Sequence, residues 1–344
     1  MRTDDFDYEL PSGRIAQEPV EPRDSCKLLV IDRLSGQIDH RRFFELPEYL
    51  DRGDVLVVNE TRVLPGRLVG EKEGTGGVAE LLLLRERYED TWECLAKPGR
   101  RLAPGAHLVF GGGALRALVL DVIPESGGRL VRLTAPDGRV RDAIRRIGEV
   151  PLPPYITRRL EDPELYQTVY AREERSAAAP TAGLHFTPEL LERVEASGVR
   201  IARIQLDVGV DTFRPVAEDD PHDHHIHSEH IEVSERAASD INEARERGKR
   251  VIAVGTTVVR TLESAWDADE RAVLPRAGTT ELYILPGHRF EAIDAMITNF
   301  HTPRSTLLML VSAFAGRDLV MGAYETALAE GYRFLSFGDA MLIR

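Results

Sequence analysis

Two hydrophobic patterns follow one another along this chain, and the change between them divides it. From Arg67 to Thr134 the apolar runs "VAELLLL", "WECLA", "HLVF", "LRALVLDVI" and "RLVRLT" are short. The turn signals "KPG", "APG", "GGG", "ESGG" and "PDG" separate them. Short strands at such spacing, with no helical period among them, predict a small closed or nearly closed β-barrel. "RDAIRRIG" then reads as a short helix, and the proline-rich "VPLPPYI" as a boundary.

From about residue 150 helices and strands alternate. Thr187 is placed to cap a helix with Pro188 at its first position, and Gly198 sits where that helix should stop. The strand "VRIARIQLDVG" follows, then a helix from Ser234 to Arg247 ending at Gly248. "RVIAV" reads as a buried strand, "TTVVRTLESAW" as a helix, "ELYIL" and "AIDAMIT" as strands, and "STLLMLVSAFAG" as an apolar helix. Alternation of this kind predicts the α/β class. "DVLVV" at 54–58 resembles these strands more than the barrel ones. The expected organisation is therefore two domains: an α/β domain of residues 1–66 and 150–344, and a small β-barrel domain of 67–149 inserted into it.

Composition adds exclusions. The 344 residues are 42% hydrophobic and 29% charged, with no run of 18 apolar residues, so no membrane span is expected. The acidic start "MRTDDFDYELPSG" lacks the apolar core of a secretory signal, and the expected location is the cytoplasm. A net charge of -13 argues against binding nucleic acid through bulk charge. Local basic clusters occur in "GRRL" at 99–102, at Arg145 and Arg146, and at Arg158 and Arg159; their plainer reading is a solvated surface. Cys26 and Cys94 stand in unrelated contexts without metal spacing and are expected to be buried or incidental thiols.

Four stretches could carry chemistry. In "VIAVGTTVVRTLES" a strand runs through Gly255, Thr256 and Thr257 into a helix. Such a turn suits an anion at the helix N-terminus, or is an ordinary capped βα turn. "HDHHIHSEHIEV" holds His222, His224, His225, His227 and His230, five of the ten histidines. They could supply an acid, a base, a substrate-contacting loop or metal ligands, or form a plain solvated loop; HExxH is absent. "ITNFHTPRSTLLMLVSAFAG" places Asn299, His301 and Arg304 after a strand, where α/β proteins commonly bind ligands; Ser305 reads better as a helix cap than as a catalytic hydroxyl. In "PTAGLHFT", Pro180 stiffens the backbone and Ala182 and Gly183 leave room. His185 and Phe186 could offer a hydrogen bond and a stacking face, or Gly183 simply permits a tight turn.

Together with "DFDYELPSGRIAQEP", "RDSCKLLV", "GDVLVVNETRVLPGRL", "PLPPYI", "LYQTVYA", "AAPTAGLHFT", "HSEH" and "YRFLSFGDAMLI", these stretches resemble one family nearly end to end: the S-adenosylmethionine:tRNA ribosyltransferase-isomerases of queuosine biosynthesis. The resemblance implies an α/β domain carrying a β-barrel. It also implies transfer of the ribosyl portion of S-adenosylmethionine to 7-aminomethyl-7-deazaguanine in a tRNA anticodon, with isomerisation to epoxyqueuosine and release of adenine and methionine. S-adenosylmethionine is then a consumed substrate; no cofactor and no metal are expected, and the expected state is a monomer.

On that basis His227, His301 and His224 are the expected catalytic residues, with His227 and His301 sharing the proton transfers. The substrate-binding set is Arg62, Thr181, Ala182, Gly183, His185, Phe186, Gly255, Thr256, Thr257, Arg260 and Asn299. The GTT turn with Arg260 would hold the methionine carboxylate, and Asn299, Thr181 and His185 would orient the nucleoside. Four positions depart from the family pattern: Asp207 for histidine, Asp211 for glycine, Arg175 for glycine and Val258 for serine. They keep open a divergent relative with another acceptor. Two further function classes stay open on the residues alone, a metal-dependent nucleoside hydrolase built on the histidines and a simple RNA-binding module.

Overall fold

The computed structural model describes residues 1–124, 127–209 and 215–344. The chain divides into two compact units, one of Met1–Thr61, Pro154–Arg172 and Pro180–Arg344, the other of Arg62–Pro153 and Glu173–Ala179. The divisions fall after Thr61 and Pro153, against the expected 66 and 149. Glu173–Ala179, expected in the α/β part, groups with the barrel.

In chain order the strands begin with β1 (Lys27–Ile31), β2 (Ile38–Arg42), β3 (Val55–Asn59) and β4 (Thr61–Val63). The second unit continues with β5 (Arg67–Lys72), β6 (Val78–Tyr88), β7 (Thr91–Lys97), β8 (His107–Phe110), β9 (Leu115–Ile123) and β10 (Gly128–Thr134). These six close into a barrel in the order β10-β7-β6-β5-β8-β9. Alternation along each strand sends Leu68, Leu81, Leu83, Trp92, Phe110, Val119 and Leu133 into one core. The helix α1 (Val140–Ile147) adds Val140, Ala143 and Ile144 to it. The strand β11 (Glu173–Ser176) pairs with β4.

In the first unit follow α2 (Pro188–Ala196), β12 (Arg200–Leu206), β13 (Glu229–Val233), α3 (Glu235–Glu246), β14 (Val251–Val254) and α4 (Thr256–Ala265). The short pair β15 (Trp266–Asp267) and β16 (Ala272–Val273) precedes β17 (Arg276–Thr280) and β18 (Ala295–Asn299). The chain continues with α5 (Thr306–Ala315), α6 (Arg317–Ala329) and β19 (Ala340–Ile343). Nine strands form one mixed sheet, ordered β17-β13-β12-β3-β14-β18-β19-β1-β2. Its centre, β12-β3-β14-β18, is parallel throughout.

Both faces of β3, β14 and β18 are covered, which is why β3 and β14 open as unbroken apolar runs, whereas β12 carries Arg200, Arg203 and Gln205. Val55, Val57, Ala253 and Met296 turn to a core shared with α3, α4, α5 and α6. Leu56, Val58, Ile252, Val254 and Ile297 turn to a second core with Phe43, Phe186 and the α2 residues Leu190 and Val194. Thr187 caps α2 by accepting from the Leu190 amide at 3.1 Å, and Ser234 and Ser305 cap α3 and α5 in the same way. Among the described residues no single helix is long and apolar enough to cross a membrane.

One expected strand is absent. "ELYIL" at 281–285 forms no ladder; the neighbouring β17 pairs with β13 instead. Its backbone groups are taken by side chains: the Leu282 amide donates to Thr280 Oγ1 at 3.1 Å, and the Leu282 carbonyl accepts from Arg260 Nε at 3.0 Å. The end of the histidine-rich stretch, by contrast, is the strand β13.

Candidate functional site

Polar groups collect where the parallel strands end. β3 finishes in Asn59, wholly buried, whose Oδ1 accepts from the Leu206 amide at 3.1 Å and the Thr61 amide at 3.2 Å. Its Nδ2 donates to the Leu206 carbonyl at 3.0 Å and to Thr257 Oγ1 at 3.4 Å. Asn59 thus joins the ends of β3 and β12 to the start of α4. It was missing from the expected set, although an asparagine closing the apolar run "VLVV" was a visible signal.

β14 runs into Gly255, which has φ +92°, a value that side chains rarely adopt, and stands at the N-terminus of α4 with no side-chain cap. The first amides of α4 therefore lack a capping side chain to receive them, and the helix dipole leaves that end partly positive. Thr256 and Thr257 are almost fully buried beside it.

β18 ends in Asn299. Its Oδ1 lies 3.0 Å from Thr181 Oγ1, and its Nδ2 lies 3.0 Å from His185 Nε2 and 3.2 Å from the Leu335 carbonyl. His185 is buried against the Phe43 ring, with Nδ1 3.3 Å from Cys26 Sγ. Burial, reinforced by the positive Arg333 and Arg23, pushes this imidazole down to about 3. Thr181–His185 forms a short 3-10 turn that brings Thr181 to Asn299 and Ala182 to Gly255; a β-carbon on Gly255 would stand 3.5 Å from Ala182 Cβ. Thr181 is partly exposed, whereas Asn299, His185, Ala182 and Gly255 are buried.

Arg260, one turn further along α4, is 6% exposed. Its Nη1 pairs with Glu229, equally buried, whose Oε1 accepts from the Gly209 amide at 2.9 Å. Among the described residues Arg260 Nη2 has no hydrogen-bond partner. Arg260 and Glu229 line a cavity of about 40 Å³ with His224, His227, Tyr283 and the apolar Ile226, Ile284, Leu307 and Leu310. His227 is exposed at its margin, and His224 Nδ1 is held 2.9 Å from Glu218 Oε2. The cavity thus combines apolar walls with one buried guanidinium face.

His301 follows β18. Its Nε2 lies 2.9 Å from Thr298 Oγ1, its amide donates to the Tyr324 hydroxyl at 2.9 Å, and its carbonyl receives the Tyr8 hydroxyl. Burial pushes its imidazole down to about 3, so it is neutral near pH 7 and only weakly basic. That suits a neutral hydrogen-bonding group better than an equal share of proton transfer. Ser305 caps α5, accepting from the Leu308 amide at 3.2 Å, as its position suggested.

Packing corrects two expectations, those for Phe186 and His185. Phe186 is no stacking face for a ligand: it is wholly buried and meets the Phe43 ring edge-on at 5.0 Å. His185 is likewise enclosed, with both ring nitrogens engaged, and reaches the strand ends only through Asn299. Arg62 lies on β4 in the barrel unit. Arg175 is in β11, 3.5 Å from Glu173, and Val258 is core on α4. Asp207 lies 3.8 Å from His230 Nδ1 and bonds through its amide to the His230 carbonyl at 3.0 Å. Asp211 lies outside the described residues. Cys26 and Cys94 are buried free thiols, and burial raises both, Cys94 to about 12. Among the described residues no three His, Cys, Asp or Glu side chains are grouped to hold a metal.

These features define an α/β protein that gathers asparagine, threonine and an open helix N-terminus at the carboxyl ends of parallel strands, the usual place for a nucleotide-like ligand. The model of one family, described as queuosine biosynthesis protein, matches residues 3–343, and the chain belongs to that family. It is 57% identical to the S-adenosylmethionine:tRNA ribosyltransferase-isomerase of Moorella thermoacetica and 56% identical to that of Desulfitobacterium hafniense, in each case over 100% of both chains. A crystal structure of the S-adenosylmethionine tRNA ribosyltransferase of Thermotoga maritima is similar, at 40% identity and a TM-score of 0.56 over 99% of this chain and 100% of that one.

Proposed function

We propose that the protein transfers and isomerises the ribosyl portion of S-adenosylmethionine onto 7-aminomethyl-7-deazaguanine in a tRNA anticodon, giving epoxyqueuosine and releasing adenine and methionine. The observation that carries this reading is the end-to-end match to relatives bearing that name, at more than half identity and over the full length of both chains. S-adenosylmethionine is consumed and no resident cofactor is called on; with tRNA as the acceptor, the reaction belongs in the cytoplasm.

The site supports a division of labour. Arg260 Nη2, without a partner among the described residues, is suited to the methionine carboxylate, and the cavity of about 40 Å³ beside it must widen for Ile226, Ile284, Leu307 and Leu310 to take the thioether side chain. Because Glu229 already balances the Arg260 charge, this subsite contributes a directed donor more than net attraction. Thr181, Asn299 and the N-terminus of α4 orient the nucleoside. The sulfonium acidifies the adjacent C5′ protons, and His227, exposed at the cavity margin, is the base assigned to remove one. His301 stays neutral and holds Thr298.

The test uses S-adenosylmethionine labelled in its ribose. Label should enter tRNA that carries 7-aminomethyl-7-deazaguanine and not unmodified tRNA. Absence of label from the modified tRNA would refute the reading.

A further inference from the structure

The hydrogen bonds at the end of β18 can be directed from a single atom. The Leu335 carbonyl can only accept, so the Asn299 atom 3.2 Å from it is the amide nitrogen. That nitrogen also lies 3.0 Å from His185 Nε2, which must present its lone pair. A neutral imidazole with Nε2 bare carries its proton on Nδ1, and Nδ1–H then donates to Cys26 Sγ at 3.3 Å. On its other side Asn299 Oδ1 can only accept, and it takes the single proton of the Thr181 hydroxyl at 3.0 Å. The Thr181 oxygen is left with lone pairs and no proton for any further partner.

We propose that His185 is a positioning residue that acts through Asn299 to hold the Thr181 hydroxyl as an acceptor, so that Thr181 selects an O–H or N–H donor on the nucleoside substrate. The inference rests on the transferase reading for the identity of that nucleoside. It explains why a buried histidine stands two hydrogen bonds behind the partly exposed Thr181: the Asn299 amide cannot rotate without placing two donors or two acceptors face to face. A doubly protonated His185 would set Nε2–H against the Asn299 amide, and burial holds the ring neutral. Leu335 keeps its carbonyl in place in a left-handed conformation, φ +70°, that leucine rarely adopts.

Two measurements test it. Ring-nitrogen NMR of the labelled protein, with His185 assigned by its loss in His185→Gln, should show Nδ1 protonated and Nε2 bare; the opposite tautomer overturns the wiring. Kinetics of adenine release at saturating modified tRNA should then separate the variants. His185→Gln, whose Oε1 can accept from Asn299, should stay within about threefold of wild type. His185→Leu and Thr181→Val should each lose about ten- to hundredfold in kcat/KM, chiefly through KM for S-adenosylmethionine, while Thr181→Ser is retained. Wild-type kinetics for Thr181→Val in an active enzyme overturns the inference alone. A wild type that shows the assigned tautomer yet releases no adenine overturns the transferase reading, and with it the ligand given to Thr181.

Discussion

The Tyr170 hydroxyl stands 2.0 Å from where a β-carbon on Gly183 would lie, and Thr168 Cγ2 only 2.8 Å from it. Gly183 is therefore required by close approach, with the turn that carries Thr181 and His185 packed directly on Tyr170. Gly183→Ala is expected to lower stability by roughly 1–3 kcal/mol and to displace that turn, abolishing adenine release. Adding Tyr170→Phe removes the nearest atom and should recover part of the stability; a denaturant double-mutant cycle reads the coupling.

The buried pair of Arg260 and Glu229 gives a second expectation. Glu229→Gln leaves a charged guanidinium without its counterion and should cost roughly 3–5 kcal/mol of stability in urea unfolding. Replacing both, Arg260→Met with Glu229→Leu, should restore much of that stability. The double variant should nevertheless show a raised KM for S-adenosylmethionine, because the donor to the carboxylate is gone. Full activity in a stable double variant would remove Arg260 from the substrate site.

Acid should destabilise the fold in a defined window. His185 and His301 each fall from 6.5 to about 3 on folding, so between those values the unfolded chain binds more protons than the native one. Their contribution is present in full above about 6.5 and is lost as pH falls toward 3. Urea unfolding of wild type and of His185→Gln across that range should show a shallower loss for the variant.

Arg100 and Arg101 are exposed or nearly so in the barrel unit, whereas Arg145 and Arg158 are engaged by Glu174 and Glu18. Arg100→Glu with Arg101→Glu should weaken tRNA binding and flatten its dependence on salt, leaving thermal stability unchanged. An unchanged salt slope would place the tRNA elsewhere.

Much of the architecture was legible because its signals are local. Turn chemistry separated the barrel strands, and the caps Thr187, Ser234 and Ser305 marked the helix starts. "ELYIL" misled because its apolar character is real, Ile284 being buried, while its backbone is bonded to Thr280 and Arg260 side chains that lie together only in the fold. At the site, the sequence pointed to Thr181, His185 and Asn299 but not to their order. Enclosure of His185 and Phe186 is decided by packing on Phe43, far away along the chain. The role of Asn59 is not local, because its partners Leu206 and Thr257 come from two other elements.

Adenine release from S-adenosylmethionine, measured with and without tRNA carrying 7-aminomethyl-7-deazaguanine and in the presence of a chelator, tests the central claim most directly. The account predicts release that requires the modified tRNA and is indifferent to the chelator. Release without that tRNA, or its loss on chelation, would contradict it.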